Sequence, residues 1–114
     1  MKISEIVKLL DAKPLCGANS EDLEVMSASA SDMMSDVLAF VKDQSILITG
    51  LMNVQVVRTA EMLDMKCILF VRGKEPDETI VNLAADAGIC VLTTKYAMFE
   101  ASGILYANGL AHEV

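Results

Sequence analysis

The sequence predicts an α/β protein, a three-layer α/β/α sandwich around a mainly parallel four-stranded sheet. Three observations carry that expectation. The runs Ile46-Leu47-Ile48 and Cys67-Ile68-Leu69-Phe70-Val71 are apolar at every position, as strands covered on both faces are. Segments with apolar residues at helical spacing alternate with those runs along the whole chain. The connections between them are short and polar, which suits strand–helix–strand units sharing one sheet.

Taken in order, Ile3, Ile6, Val7 and Leu10 mark a first helix over Ser4–Ala12, with Ser4 able to cap it. Pro14 and Gly17 close it off, leaving a short extended piece at Leu15-Cys16. Leu23 to Ala30 reads as a strand. Ser31 or Asp32 then caps a helix through Lys42, whose stripe is Met33, Met34, Val37, Leu38 and Val41. Ser45 to Thr49 is a buried strand that Gly50 breaks, and Asn53 caps a helix over Val54–Leu63. After the strand Cys67–Val71, the polar turn Arg72–Asp77 leads into a helix with Pro76 near its first position and Gly88 at its end. Ile89 to Leu92 is the last strand. Thr94 caps a final helix with the stripe Ala97, Met98, Ala101, Ile104 and Leu105. No linker or internal repeat divides the chain, so residues 1–114 read as one domain.

Composition bounds the function. Apolar residues make up 54% of the 114 positions, which excludes a disordered chain. Sixteen acids against nine bases give a net charge of −7, without the basic footprint that nucleic-acid binding needs. The longest stretch without an ionisable residue, Gln44 to Val57, has 14 positions and is too short to span a membrane. Neither end shows a signal peptide or an anchor motif, so a cytoplasmic location is expected. Cys16, Cys67 and Cys90 form no CxxC pair and read as structural thiols in a reducing compartment. His112, the sole histidine, lies in the tail and reads as part of a frayed end.

In open α/β sheets ligands bind beyond the carboxyl ends of the strands. Here those ends lead into Ser31-Asp32, Thr49 to Asn53, Arg72 to Asp77, and Thr93-Thr94-Lys95. The candidate ligand-binding residues are Asp32, Thr49, Gly50, Asn53, Arg72, Gly73, Lys74, Glu75, Thr93 and Thr94. Amides at Gly50 and Gly73 would meet a phosphate, and Arg72 or Lys74 would neutralise it. As lone glycines both read more readily as turn formers than as phosphate cradles, because neither Gly-x-Gly-x-x-Gly nor a phosphate-loop motif is present. Ser31, Ser35, Thr93 and Thr94 have no histidine to activate them, and only Asp32 and Glu75 offer themselves as general bases. Asp32 and Asp36 share a helix face without a third ligand, so they read as capping and solvated groups rather than a metal site. No catalytic activity, metal or cofactor is expected. Met33, Met34, Met52, Met62, Met65 and Met98 serve either a methionine-rich core or a face for self-association.

Several of these stretches resemble the DRTGG domain family. They are Ile3 to Leu10, Ala30 to Leu38, Ser45 to Gly50, the turn Arg72-Gly73-Lys74-Glu75-Pro76-Asp77-Glu78, and Thr93-Thr94 followed by Phe99-Glu100-Ala101. The chain departs from the family pattern at two places on the rim. Gly50-Leu51-Met52-Asn53 stands where many members show Asp-Arg-Thr, and Arg72-Gly73-Lys74 where they show Gly-Gly. The resemblance implies a parallel α/β/α fold like the N-terminal domain of HPr kinase/phosphorylase and, more distantly, that of Mur ligases. It also implies a regulatory module that is not itself catalytic, helps regulatory regions dimerise, and can sit beside nucleotide-sensing domains. The expectation is a non-catalytic homodimeric domain that binds a small anionic ligand, such as a nucleotide, at the strand ends. The alternative is a protein-interaction or oligomerisation module, without a small-molecule ligand, that docks on a larger enzyme.

Overall fold

The computed structural model describes residues 1–17, 23–40 and 45–112. Helix α1 (Ile3–Leu10) buries Ile3, Ile6 and Leu10, and the Glu5 side chain accepts from the Lys2 amide at its start. The other elements are β1 (Lys13–Cys16), β2 (Ser27–Ala30), α2 (Met34–Phe40), β3 (Ser45–Thr49), α3 (Val54–Met62), β4 (Cys67–Phe70), α4 (Glu78–Asp86), β5 (Cys90–Thr93), α5 (Met98–Ala107) and β6 (Ala111–His112).

One six-stranded sheet runs β1-β5-β4-β3-β2-β6. The neighbours β2, β3, β4 and β5 are parallel and are the four strands the sequence predicts. The sheet is wider than expected because both edges gain a strand. The extended piece after α1 becomes β1, antiparallel to β5 with Lys13 opposite Thr93. The tail read as frayed becomes β6, with Ala111 opposite Ser27 and His112 opposite Ala28.

Each crossover from β2 to β5 advances one strand in the same direction. Right-handed connection therefore places α2, α3 and α4 on one face of the sheet. Helix α5 returns across the other face, beside α1, and delivers β6 next to β2. Alternate side chains of each strand serve the two layers. Ile46, Ile48, Cys67, Leu69, Cys90 and Leu92 pack under α1 and α5. Leu47, Ile68, Phe70 and Val91 pack under α2, α3 and α4, against residues such as Val37, Val57 and Ala84.

The expected strand Leu23–Ala30 forms only over its second half. Its first half pairs instead with the chain start, through Ile3 N–H to the Leu23 carbonyl and Val25 N–H to the Met1 carbonyl, each 2.9 Å. The end expected at Lys42 for the second helix lies outside the described residues. The methionines form no stripe. Met34 and Met65 are core, whereas Met26, Met33 and Met62 are exposed at separate places.

Candidate functional site

The carboxyl ends of β2, β3, β4 and β5 bring Asp32, Thr49, Arg72 and Thr93 to one rim. Thr49 closes β3, a strand buried at every position. Asp32 follows β2, and its carboxylate collects the hydrogen-bonding capacity of its neighbours. Oδ1 accepts from the Gly50 amide at 2.8 Å and from the Thr49 hydroxyl at 3.1 Å. Oδ2 accepts from Arg72 Nη2 at 3.3 Å. The Gly50 amide, assisted by Thr49 and Arg72, holds the Asp32 carboxyl below its ordinary value and outweighs the opposing effect of burial. An acid kept ionised in this way is a weak general base. Asp32 therefore does not cap α2. Ser31 instead accepts the Met33 amide at 2.9 Å.

The turn after β4 is built from two consecutive left-handed residues, Arg72 at φ 67° and Gly73 at φ 70°. Their amides are pinned to the next loop. Arg72 N–H donates to the Tyr96 carbonyl at 2.8 Å and Gly73 N–H to the Thr94 carbonyl at 2.9 Å. Glycine takes such a conformation freely, whereas a non-glycine residue in it is strained. The pin and the twist carry the Arg72 side chain back over Gly50, where a Cβ would overlap the guanidinium. The Asp32–Arg72 pair remains about half exposed, at 45% and 40% of the side-chain surface.

The remaining rim residues gather beside this cluster. A shallow cavity of about 120 Å³ is lined by Asp11, Lys13, Gly73, Glu75, Thr93, Thr94 and Lys95. Thr93 donates to the Lys74 carbonyl and Thr94 to the Leu10 carbonyl, both at 2.8 Å. Thr94 also accepts from the Tyr96 amide, so it organises the loop before α5 instead of capping that helix. Ala97 takes the cap position. Lys13 forms an ion pair with Glu75 at 3.1 Å. Asn53 precedes α3 in extended conformation, but its side chain makes no capping bond. Asp77 caps α4 through the Ile80 amide at 3.0 Å, with Pro76 just outside the helix.

Two expectations change here. The Gly50 and Gly73 amides are engaged by Asp32 and by the Thr94 carbonyl, so in this conformation neither points at a ligand. Asp11 and Lys13 join the rim although sequence reasoning left them out. The antiparallel edge strand β1 brings them there, and Pro14 with the extended Leu15-Cys16 was its only signal. Among the described residues, no group of three His, Cys, Asp or Glu side chains is placed to hold a metal ion. Among the same residues, no helix is long and apolar enough to cross a membrane.

Fold and rim together define a mainly parallel α/β/α domain whose polar groups converge at the strand ends. A family model described as the DRTGG domain matches residues 5–107, and the chain belongs to that family. The fold is similar to a crystal structure of the CBS and DRTGG domains of the regulatory region of Clostridium perfringens pyrophosphatase, complexed with the activator diadenosine tetraphosphate. The TM-score is 0.74 at 17% identity, over 98% of this chain and 50% of the other. The chain thus spans half the length of that structure. No functionally curated protein matches it in sequence.

Proposed function

We propose that this chain is a non-catalytic regulatory domain that binds a small anionic ligand of the nucleotide class at the strand-end rim. The observation that carries the reading is the Arg72 guanidinium. It sits on a strained residue, half exposed, and is paired with an Asp32 carboxylate that a phosphate can replace. Strain held at a rim position is a mark of use, since a glycine would serve the turn at lower cost. The exposed side chains of Lys74 and Lys95 supply further positive charge nearby, in a chain whose net charge is −7. A ligand phosphate would be met by these side chains rather than by the occupied amides of Gly50 and Gly73. The nucleotide class is supported by the activator held in the similar regulatory region. Such a domain would work in the cytoplasm, as a homodimer or beside a larger enzyme whose activity it adjusts.

Thermal unfolding with adenine, guanine and uridine nucleotides and dinucleotides tests this. A ligand at 100 times its Kd adds about 2.7 kcal/mol and raises the midpoint by several degrees in a domain of this size. The shift is expected for one class and is lost in Arg72→Ala. No shift with any of them at millimolar concentration rejects the ligand. The interaction-module reading then takes its place, favoured by the exposed Phe99 on α5.

A further inference from the structure

Two cysteines stand side by side at the end of the sheet opposite the rim. Cys67 opens β4, Cys90 opens β5, and the two are partners in the parallel register. The Cys90 amide donates to the Lys66 carbonyl at 3.0 Å, which fixes that register at the strand starts. Both side chains pack into the layer under α1 and α5. Neighbouring strands lie about 4.8 Å apart, and a disulfide spans Cα separations of about 4.4–6.8 Å, so the backbone spacing admits one here. The two thiols already hydrogen-bond each other. A cavity of about 410 Å³ beside α1 reaches Cys90 and is walled by Ile3, Val7, Pro14 and Gly17. Cys90 is buried, and the exposed Gly17 covers it with backbone alone. A Cβ on Gly17 would stand 2.8 Å from the Cys90 Cα and 3.4 Å from its sulfur. An oxidant little larger than water suits that approach.

We propose that Cys67 and Cys90 form an oxidisable dithiol, in which Cys90 attacks hydrogen peroxide and Cys67 closes the product to a disulfide between β4 and β5. The division of labour follows from the surroundings. The hydrogen bond with Cys67 holds the Cys90 thiol below its ordinary pKa against the opposing effect of burial, whereas burial pushes Cys67 well up. Cys90 is thus the better source of thiolate, the nucleophilic form. Cys16 stands apart. It packs against the cluster under α2, α3 and α4, donates to the Ile89 carbonyl at 3.3 Å, and burial raises its thiol. In the first step the Cys90 thiolate forms an S–O bond as the O–O bond breaks, and the departing hydroxide takes the proton Cys90 had released. In the second the Cys67 sulfur attacks the Cys90 sulfenic acid. The S–S bond forms, the S–O bond breaks, and the Cys67 proton leaves with the hydroxyl as water. Two thiols and one peroxide give one disulfide and two waters. The link would tie together the starts of the two strands whose other ends lead to Arg72 and Thr93. The site is separate from the rim and does not rest on the ligand reading.

Peptide mapping of the intact chain tests the pair. Trypsin separates the cysteines, because Lys66 and Arg72 bound the peptide of Cys67, and Lys74 and Lys95 bound that of Cys90. The folded protein is treated with a small excess of hydrogen peroxide, alkylated in denaturant and digested without reductant. The expected product is one linked peptide, Cys67–Arg72 joined to Glu75–Lys95, lighter than its two halves by two hydrogen atoms, with Cys16 alkylated. Cys67→Ala should stop at the Cys90 sulfenic acid, which dimedone traps. Cys90→Ala should leave Cys67 reduced, and Cys16→Ala should form the link as the wild type does. The same treatment of the chain unfolded in urea should give linkages that include Cys16. Peroxide that leaves every cysteine alkylated overturns the proposal. Oxidation confined to Cys16 does so too, as does a folded sample that yields the mixture of the unfolded one. The linked peptide in the wild type upholds the pair even where an alanine variant fails to fold.

Discussion

The Arg72 guanidinium lies over the Cα of Gly50, in the space a Cβ would fill, and from there reaches the Asp32 carboxylate. A glycine between β3 and α3 is thus explained by a side chain from the neighbouring loop. Its own backbone does not demand it, since Gly50 is not among the positive-φ residues.

Gly50→Ala is expected to displace Arg72 without disturbing the sheet. The atoms in the way are the far end of a flexible side chain, so the loss is that of one half-exposed ion pair, about 0.2–1 kcal/mol. Combined with Arg72→Ala, the two effects should be less than additive, because either substitution removes the same contact. Equilibrium denaturation of the two single variants and the double variant measures this. Full additivity would mean that Arg72 does not occupy that space in solution.

Asp32→Asn should cost more than Gly50→Ala. The single oxygen of asparagine can still accept from the Gly50 amide and the Thr49 hydroxyl, which share Oδ1, but its NH2 group then faces Arg72 donor against donor and both remaining bonds lose their charge assistance. Hydrogen bonds to a charged group contribute about 1.5–3 kcal/mol against about 0.5–1.5 for neutral ones, so the loss should be on the order of 1–2 kcal/mol, a few degrees of Tm in a domain of this size. The penalty should also depend on pH. The folded-state pKa of Asp32 lies below its ordinary value of 3.8, so its contribution is complete above that value and fades as pH falls through the folded pKa. The difference in Tm between wild type and Asp32→Asn should therefore be constant near neutrality and shrink below about pH 4. A difference that grows on acidification would contradict the assigned hydrogen bonds.

Thr94→Val tests the link between α1 and the rim. Thr94 is buried, its hydroxyl donates to the Leu10 carbonyl, and it accepts from the Tyr96 amide. Valine keeps the shape and removes both bonds. A loss of about 1–3 kcal/mol is expected in denaturant melts, with hydrogen exchange accelerated at Tyr96 and at Arg72, whose amide rests on the Tyr96 carbonyl. Unchanged exchange at both amides would separate the two loops.

The parallel core was legible because its strands are covered on both faces, and uniform apolar runs such as Cys67–Phe70 have few other destinations. The edge strands were not. β1 contains Pro14 and β6 has two residues, so neither carries a period, and each owes its place to a neighbour already in the sheet. The rim followed from the strand ends, but the partner of each rim group did not. The sequence places Asp32 beside a helix start, where capping is the local option. Only the register of β2 on β3 sets it opposite the Gly50 amide and gives it a stronger use. In the same way the letters of the Arg72-Gly73 pair do not announce its backbone, which takes two consecutive left-handed conformations that glycine alone adopts freely.

Arg72→Gly separates the stability of that turn from its use. A non-glycine residue in the left-handed region costs roughly 1–2 kcal/mol, and the ion pair with Asp32 returns about 0.2–1 kcal/mol at this exposure. Removing both leaves a variant expected to be as stable as the wild type or slightly more so. Its Arg72 amide site remains, so the bond to the Tyr96 carbonyl can persist. If arginine is kept there for an anion, the same variant should lose the nucleotide-induced thermal shift while its melting temperature in the absence of nucleotide holds or rises. Arg72→Lys should keep part of the shift, because it retains the charge but not the planar fork that grips a phosphate by two bonds. A variant that loses stability and keeps the shift would make Arg72 a structural residue and move the anion site towards Lys74 and Lys95.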